Sequence, residues 1–171
     1  MFYSLLKKLV GIFFNILNVL LAGNLPPFGC VCVIVEDQDK YLVIERPEGG
    51  YALPGGFMRW REHPTQTALR ESKEETGLQL RVNRFIGCSS TASDHFMLMS
   101  TLTVIYQAEV VSGELKSSIE GQPCWRDRTQ LPYLLQQRQR VLFEEFLQYH
   151  RSEIASKPSI KDLEDKEKSR P

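Results

Sequence analysis

Cysteine is scarce and badly spaced for staples. The 171 residues hold four, Cys30, Cys32, Cys88 and Cys124, with no CxxC pair and no zinc-ligand spacing. The expected state is free thiols, buried or half-buried, which fits a reducing compartment. Charge of one sign is lacking too, since 21 Lys and Arg balance 21 Asp and Glu. Without a basic field, long nucleic acid is not an expected partner. No internal repeat is present, so a solenoid or array is not expected. There is also no apolar run long enough to cross a bilayer. From Leu9 to Ala22 there are 14 residues, two of them asparagine, against about 20 for a transmembrane helix.

What is present suits one globular domain with a modest extension at each end. Apolar residues make up 42% of the chain, enough to build a core. Gly23 to Pro27 breaks an apolar N-terminal segment, because two prolines cannot continue a helix. Residues 1–24 are therefore set apart as an apolar helix, 25–150 as the domain, and 151–171 as a charged, disordered tail. Phe28 to Glu36 reads as a buried strand, and Lys40 to Arg46 as its antiparallel partner. A helix is expected after His63-Pro64, capped by Thr65 or Thr67 and stopped at Gly77. Strands are expected within Leu78–Ser90 and Phe96–Val111. A last helix is expected over about 134–150, with Leu135, Val141, Leu142, Phe146 and Tyr149 inward.

The chemistry concentrates on the middle helix. Glu71, Glu74 and Glu75 stand at i, i+3 and i+4 and share one side of it. Like charges at that spacing repel, so helix stability alone does not explain them. A divalent cation reverses the cost, since Mg²⁺ takes hard oxygen ligands from carboxylates and phosphates. The alternative is a solvated acidic face paired with Arg70 and Lys73. Upstream context decides against that alternative. Leu53-Pro54-Gly55-Gly56 provides a backbone able to approach phosphate or metal closely, and Glu62 follows six residues after Gly56.

Gly56, five residues, Glu62, seven residues, and then Arg70-Glu71-Ser72-Lys73-Glu74-Glu75-Thr76-Gly77-Leu78 resemble the Nudix box. Ser72 is the one departure, standing where an aliphatic residue is usual. Glu120, Trp125 and Leu131-Pro132 resemble the family's later acidic and tryptophan segment. The resemblance covers about Phe28 to His150. It implies an α/β/α sandwich with a mixed sheet between helices, and metal-dependent hydrolysis of a diphosphate linkage with Mg²⁺ or Mn²⁺ as cofactor.

By the same resemblance Glu71, Glu74 and Glu75, with the Gly55 carbonyl, occupy metal-ligand positions. Glu71 also matches a water-activating base, Arg70 a group that orients it, and Glu62 a residue that acts through water or anchors the loop. Glu120 is a further catalytic candidate, weighed against an ordinary surface glutamate. Arg46, Arg59, His95 and Trp125 are the substrate-binding candidates, weighed against ordinary surface for the two arginines, a structural or exposed histidine for His95 and a core role for Trp125. The substrate expected is a small-molecule nucleoside diphosphate derivative, of the triphosphate or nucleotide-sugar type. Motifs of NADH and coenzyme A pyrophosphatases are absent. A ligand-binding regulator without hydrolysis is the alternative, and a homodimer is a further option.

The N-terminal segment poses a separate question. Ser4, Lys7, Lys8, Gly11, Asn15 and Asn18 form one narrow stripe on a helix, with apolar residues around the rest. Leu21-Ala22-Gly23 matches a signal-peptidase site poorly. An interfacial helix on the inner face of a membrane fits the pattern, with the domain in the cytoplasm. A helix packed on the domain or on a partner is the other reading.

Overall fold

The computed structural model describes residues 2–93 and 97–156, with side chains described from 9 to 152. Helix α1 (Phe2–Leu20) precedes strands β1 (Phe28–Asp37), β2 (Lys40–Glu45), β3 (Tyr51–Ala52) and β4 (Gly55–Phe57). Helix α2 (Pro64–Thr76) leads into β5 (Gln79–Thr91) and β6 (Thr101–Ser112). The chain then forms β7 (Gln122–Asp127), the single turn α3 (Leu131–Leu134) and α4 (Gln137–Ser156).

The strands form a mixed sheet in the order β3-β2-β1-β6-β5, with β4 beside β1 and β7 beside β2. Only the β1–β6 pair is parallel, running from Phe28↔Thr101 to Val35↔Ala108. β1 and β2 touch only at their hairpin end, through Glu36↔Tyr41 and Asp37↔Lys40. Beyond that turn they splay apart, and β1 pairs instead with β4 through Val31↔Gly56 and Cys32↔Gly55. The splay opens the sheet at the double glycine.

Alternation along β1 divides the core in two. Val31, Val33 and Val35 face α2, in a cluster with Leu42, Ala68, Leu78, Leu80 and Ala108. Cys32 and Ile34 face the opposite side, against Leu135, Leu142, Phe143 and Phe146. The expected α/β/α sandwich is what forms.

Several local expectations need correction. His63, not Thr65 or Thr67, caps α2. Its Nδ1 accepts the Thr65 N–H, and Gln66 accepts the His63 N–H in return. Position follows from Pro64, which suits the first helical turn and sets the cap one residue earlier. The Gly77 stop forms as expected, in the left-handed conformation with φ +80°. Val141 is 46% exposed and Phe143 fully buried instead. Phe143 lies about 60° around the helix from Phe146, whereas Val141 lies about 140° away. Residues 151–156 continue α4 rather than joining a disordered tail; the rest of that segment lies outside the described residues. Ser72 is fully buried with its hydroxyl unpartnered, and Thr76 Oγ1 donates to its carbonyl.

Helix α1 sits on the domain the opposite way round from the expectation for a helix showing water its polar stripe. Gly11 is buried, and Asn15 Nδ2 donates to the Leu98 carbonyl at 2.8 Å. Phe14 packs against Phe28 in a tilted arrangement, ring centroids 4.2 Å apart. Asn18 Oδ1 accepts the Leu25 N–H at 3.1 Å. Of the stripe, Gly11, Asn15 and Asn18 face inward.

Candidate active site

Two glycines bring the sheet and α2 into contact. Gly55 has φ +146°, and a Cβ there would lie 2.1 Å from the Val31 carbonyl oxygen. Only glycine allows β4 to run so close to β1. A Cβ on Gly56 would come within 2.6 Å of Glu71 Cδ. The missing side chain is the space into which the Glu71 carboxylate reaches.

Arg70 organises the outer acids. Its Nε and Nη2 engage both oxygens of Glu62 at 2.7 and 2.8 Å, a bidentate pair. Nη1 donates to Glu71 at 2.5 Å and to Glu74 at 3.3 Å, and Nη2 also donates to the Phe57 carbonyl at 3.1 Å. Glu62 further accepts from the Arg59 N–H and the Thr67 hydroxyl. The Arg70 guanidinium, with these two donors, holds the Glu62 carboxyl down at about 2. In turn the Glu62 carboxylate raises the pKa of Arg70, keeping it cationic.

Glu75 is different. It is 2% exposed, and burial pushes its carboxyl up to about 8 despite two stabilising partners. The Gly55 N–H donates to Oε2 at 2.8 Å and Arg46 Nη2 to Oε1 at 3.3 Å. Arg46 also donates to the Glu120 carboxylate at 2.5 Å and to its carbonyl at 3.1 Å. One guanidinium thus joins the end of β2, helix α2 and the loop before β7.

A cavity of about 420 Å³ opens at this place. Its walls include Arg46, Gly55, Arg59, Glu71 and Glu120 among the residues singled out from sequence. Glu74 stands at the rim, half exposed, where Arg59 pairs with it at 3.2 Å. Trp125 does not line the cavity. Its side chain packs, partly buried, against the α2-side core, because its place opposite Leu42 on β7 turns it to that layer. His95 lies outside the described residues.

Sequence reasoning missed the opposite wall. Thr91, Thr101 and Thr103 come from β5 and β6, and Arg138 and Gln139 from the first turn of α4. Gln139 accepts the Leu53 N–H at 3.3 Å, tying α4 to the glycine loop. Arg138 forms no ion pair with a described residue. Nothing local in the sequence marks it, since its place in the cavity wall arises only when α4 folds over the sheet.

The three helix glutamates do not converge on one point. Among the described residues no three acids stand close enough together to hold an ion as placed. Arg70 holds Glu71 and Glu74, while the Gly55 N–H and Arg46 hold Glu75. The donor set is nevertheless the right one for a hard divalent cation, being carboxylate oxygens beside a backbone freed of side chains. The space over Gly56 that a Cβ would fill is where such a cradle is needed. Chemically, the cavity offers acids for water activation on one wall and guanidinium groups for phosphate on the others.

Comparison with known proteins bears on the family and the fold. The model of the NUDIX domain matches residues 26–146. An ADP-ribose pyrophosphatase of Methanocaldococcus jannaschii is 31% identical over 123 residues, 69% of this chain and 72% of that one. A NAD-capped RNA hydrolase NudC of Vibrio atlanticus is 32% identical over 110 residues, 61% of this chain but only 39% of the longer relative. In fold, a crystal structure of a UDP-X diphosphatase superposes with a TM-score of 0.67 at 22% identity, over 75% of this chain and 65% of that one. A NUDIX hydrolase from Nitrosomonas europaea gives 0.62 at 21% identity, over 71% and 88%. With the domain model covering most of its length, the chain belongs to the Nudix hydrolase family.

Proposed function

We propose that this protein hydrolyses the diphosphate linkage of a nucleoside diphosphate derivative by water attack at phosphorus. The observation that carries the reading is Glu71. Its carboxylate lines the cavity, held by Arg70, which Glu62 fixes in turn. A positioned carboxylate can take a proton from water as the oxygen bonds to phosphorus. The bond from phosphorus to the bridging oxygen breaks and that oxygen leaves with the other phosphoryl group, giving two phosphate monoesters from ADP-ribose or a nucleotide sugar, and a nucleoside monophosphate with pyrophosphate from a nucleoside triphosphate.

Arg46, Arg59 and Arg138 supply cationic groups around the cavity for the diphosphate oxygens. Arg46 and Arg59 exchange Glu120, Glu75 and Glu74 for phosphate as substrate enters. Glu71 and Glu75, with Glu74 and the Gly55 carbonyl, are the groups that would hold Mg²⁺ or Mn²⁺. Such an ion, when bound, neutralises phosphate charge and lowers the pKa of water. The substrate class is supported by the relatives' names, ADP-ribose pyrophosphatase and NAD-capped RNA hydrolase. ADP-ribose heads the test panel, with nucleotide sugars and nucleoside triphosphates beside it.

Hydrolysis of that panel should require Mg²⁺ or Mn²⁺. Glu71→Gln should lower kcat by at least ~100-fold, the scale of a positioned base. Undiminished turnover by that variant, or in excess EDTA, overturns the proposal. Tight binding of a panel member without release of monophosphate assigns the domain to ligand binding instead.

A further inference from the structure

Three threonine hydroxyls in the cavity wall have no protein partner. Thr91 on β5 stands directly beside Thr101 on β6, and Thr103 follows two residues along on the same face. None of the three side chains is hydrogen-bonded to a described residue. The threonines of α2 are different, since Thr65 meets His63, Thr67 donates to Glu62 and Thr76 donates to the Ser72 carbonyl. Thr103 is only 7% exposed. A hydroxyl so enclosed calls for a partner, and here the partner must enter through the cavity.

Position shows which part of a substrate arrives there. Cys30 of β1 pairs with Phe57 of β4 on one side and with Thr103 of β6 on the other. At one strand spacing per step, β6 lies roughly 10 Å from β4, and β5 roughly 14 Å. A diphosphate held at the double glycine and Glu71 thus has one of its two attached groups running along this floor. The chemistry of the wall identifies that group. The one aromatic residue lining the cavity is Phe57, on β4, so a nucleobase finds no ring to stack on at the threonine end. Phosphate only accepts hydrogen bonds, whereas threonine hydroxyls donate and accept, as the hydroxyls of a sugar do. Arg138 is the single cation of this wall. With the diphosphate to serve, it leaves no second cation to meet a third phosphoryl group.

We propose that Thr91, Thr101 and Thr103 bind the hydroxyl groups of a sugar joined to the diphosphate, and so select nucleoside diphosphate sugars over nucleoside triphosphates. Gln139, beside them in the wall, contributes its amide N–H groups, its oxygen being taken by the Leu53 N–H. Substrate then lies in one direction, with its sugar between β5, β6 and the first turn of α4. The selection rests on the hydrolysis proposed above; the binding does not.

The test compares ADP-ribose, ADP-glucose and ATP, which share a nucleoside, so that any difference belongs to the far group. Thr101→Val/Thr103→Val keeps the branched shape and removes two hydroxyls. It should raise KM for ADP-ribose and ADP-glucose by about tenfold or more, the scale of two lost hydrogen bonds. Its kcat, and its KM for ATP, should stay close to those of the parent. Thr101→Ser/Thr103→Ser should recover most of the sugar-linked affinity. The Tm of the valine variant should not fall, because no hydrogen bond within the protein is lost. A KM unchanged for both sugar-linked substrates overturns the proposal, whatever the Tm does. So does a KM that rises equally for ATP, which assigns the threonines to the shared nucleotide, or one that rises for ATP alone, which assigns them to the third phosphoryl group. Calorimetry with ADP-ribose, in the Glu71→Gln background, reads binding without turnover and should show the same loss on adding the valines. That loss in a chain whose parent hydrolyses nothing sinks the reaction and keeps the sugar site. Hydrolysis by the parent with no such loss sinks the sugar site alone.

Discussion

Two adjacent glycines have separable jobs. At Gly55 the obstacle to a side chain is backbone, the Val31 carbonyl 2.1 Å from a built Cβ, in a conformation with φ +146°. Backbone cannot retreat without breaking the β1–β4 pairing. Gly55→Ala should therefore destabilise by about 3 kcal/mol or more, or fail to fold. At Gly56 the obstacle is the Glu71 carboxylate, the free end of a flexible side chain. Gly56→Ala should keep its stability within about 1 kcal/mol and lose at least ~10-fold in kcat, because Glu71 swings away from the cavity. Thermal denaturation and turnover together check the pair. Equal loss of stability in both variants contradicts the division. Spacing shows that both glycines belong to one motif. Which one serves the sheet and which the carboxylate becomes visible only from the neighbours each one meets.

At the scale of elements, Glu62 links a loop to a helix. It accepts from Arg70 and Thr67 on α2 and from the backbone of Arg59 in the preceding loop. Its folded pKa of about 2 lies below the ordinary 4.5. A depressed carboxyl contributes stability that is present above the unfolded pKa and lost as pH falls through the folded one. Glu62→Gln should cost about 1 to 3 kcal/mol at neutral pH, as expected for charge-assisted hydrogen bonds. That difference from the parent should shrink as pH is lowered from about 4.5 toward 2. Chemical denaturation at several pH values measures it. A gap that stays constant across the window would show that the carboxylate's charge is not what Arg70 uses. The sequence placed Glu62 in the motif and suggested an anchoring role, but its partners Thr67 and Arg59 depended on how the loop of 58–62 folds back.

For the whole molecule, the described residues of α1 stand outside both hydrophobic clusters, which contain none of them. Its attachment is a few contacts, chiefly Phe14 on Phe28 and Asn15 on Leu98. A chain starting at Leu25 should fold with the same sheet, with its Tm lowered by roughly 2–8 °C for the lost contacts. Hydrolysis by it should stay within about threefold of the full chain. A chain from Leu25 that aggregates or lacks the domain's circular dichroism would make α1 part of the core after all.

Much of this protein is local and therefore legible in the residues alone. The alternation of β1, the hairpin with β2, the Gly77 stop and the carboxylate pattern on α2 all depend on neighbours within a few positions. The family resemblance and the sandwich it implies rest on those same short spacings. Pairings across the fold are another matter. Arg46 bridges Glu75 and Glu120 across 29 and 74 residues, and Arg138 meets the cavity only because α4 crosses the sheet. The direction in which α1 turns its stripe also depended on tertiary contact. Hydrophobic periodicity shows that a helix has two sides. Gly11 against Met97, where a Cβ would lie 2.5 Å from the carbonyl oxygen, decides which side the domain keeps. Helical periodicity is fixed by backbone geometry over one turn, while a contact between distant segments exists only after the chain between them has folded.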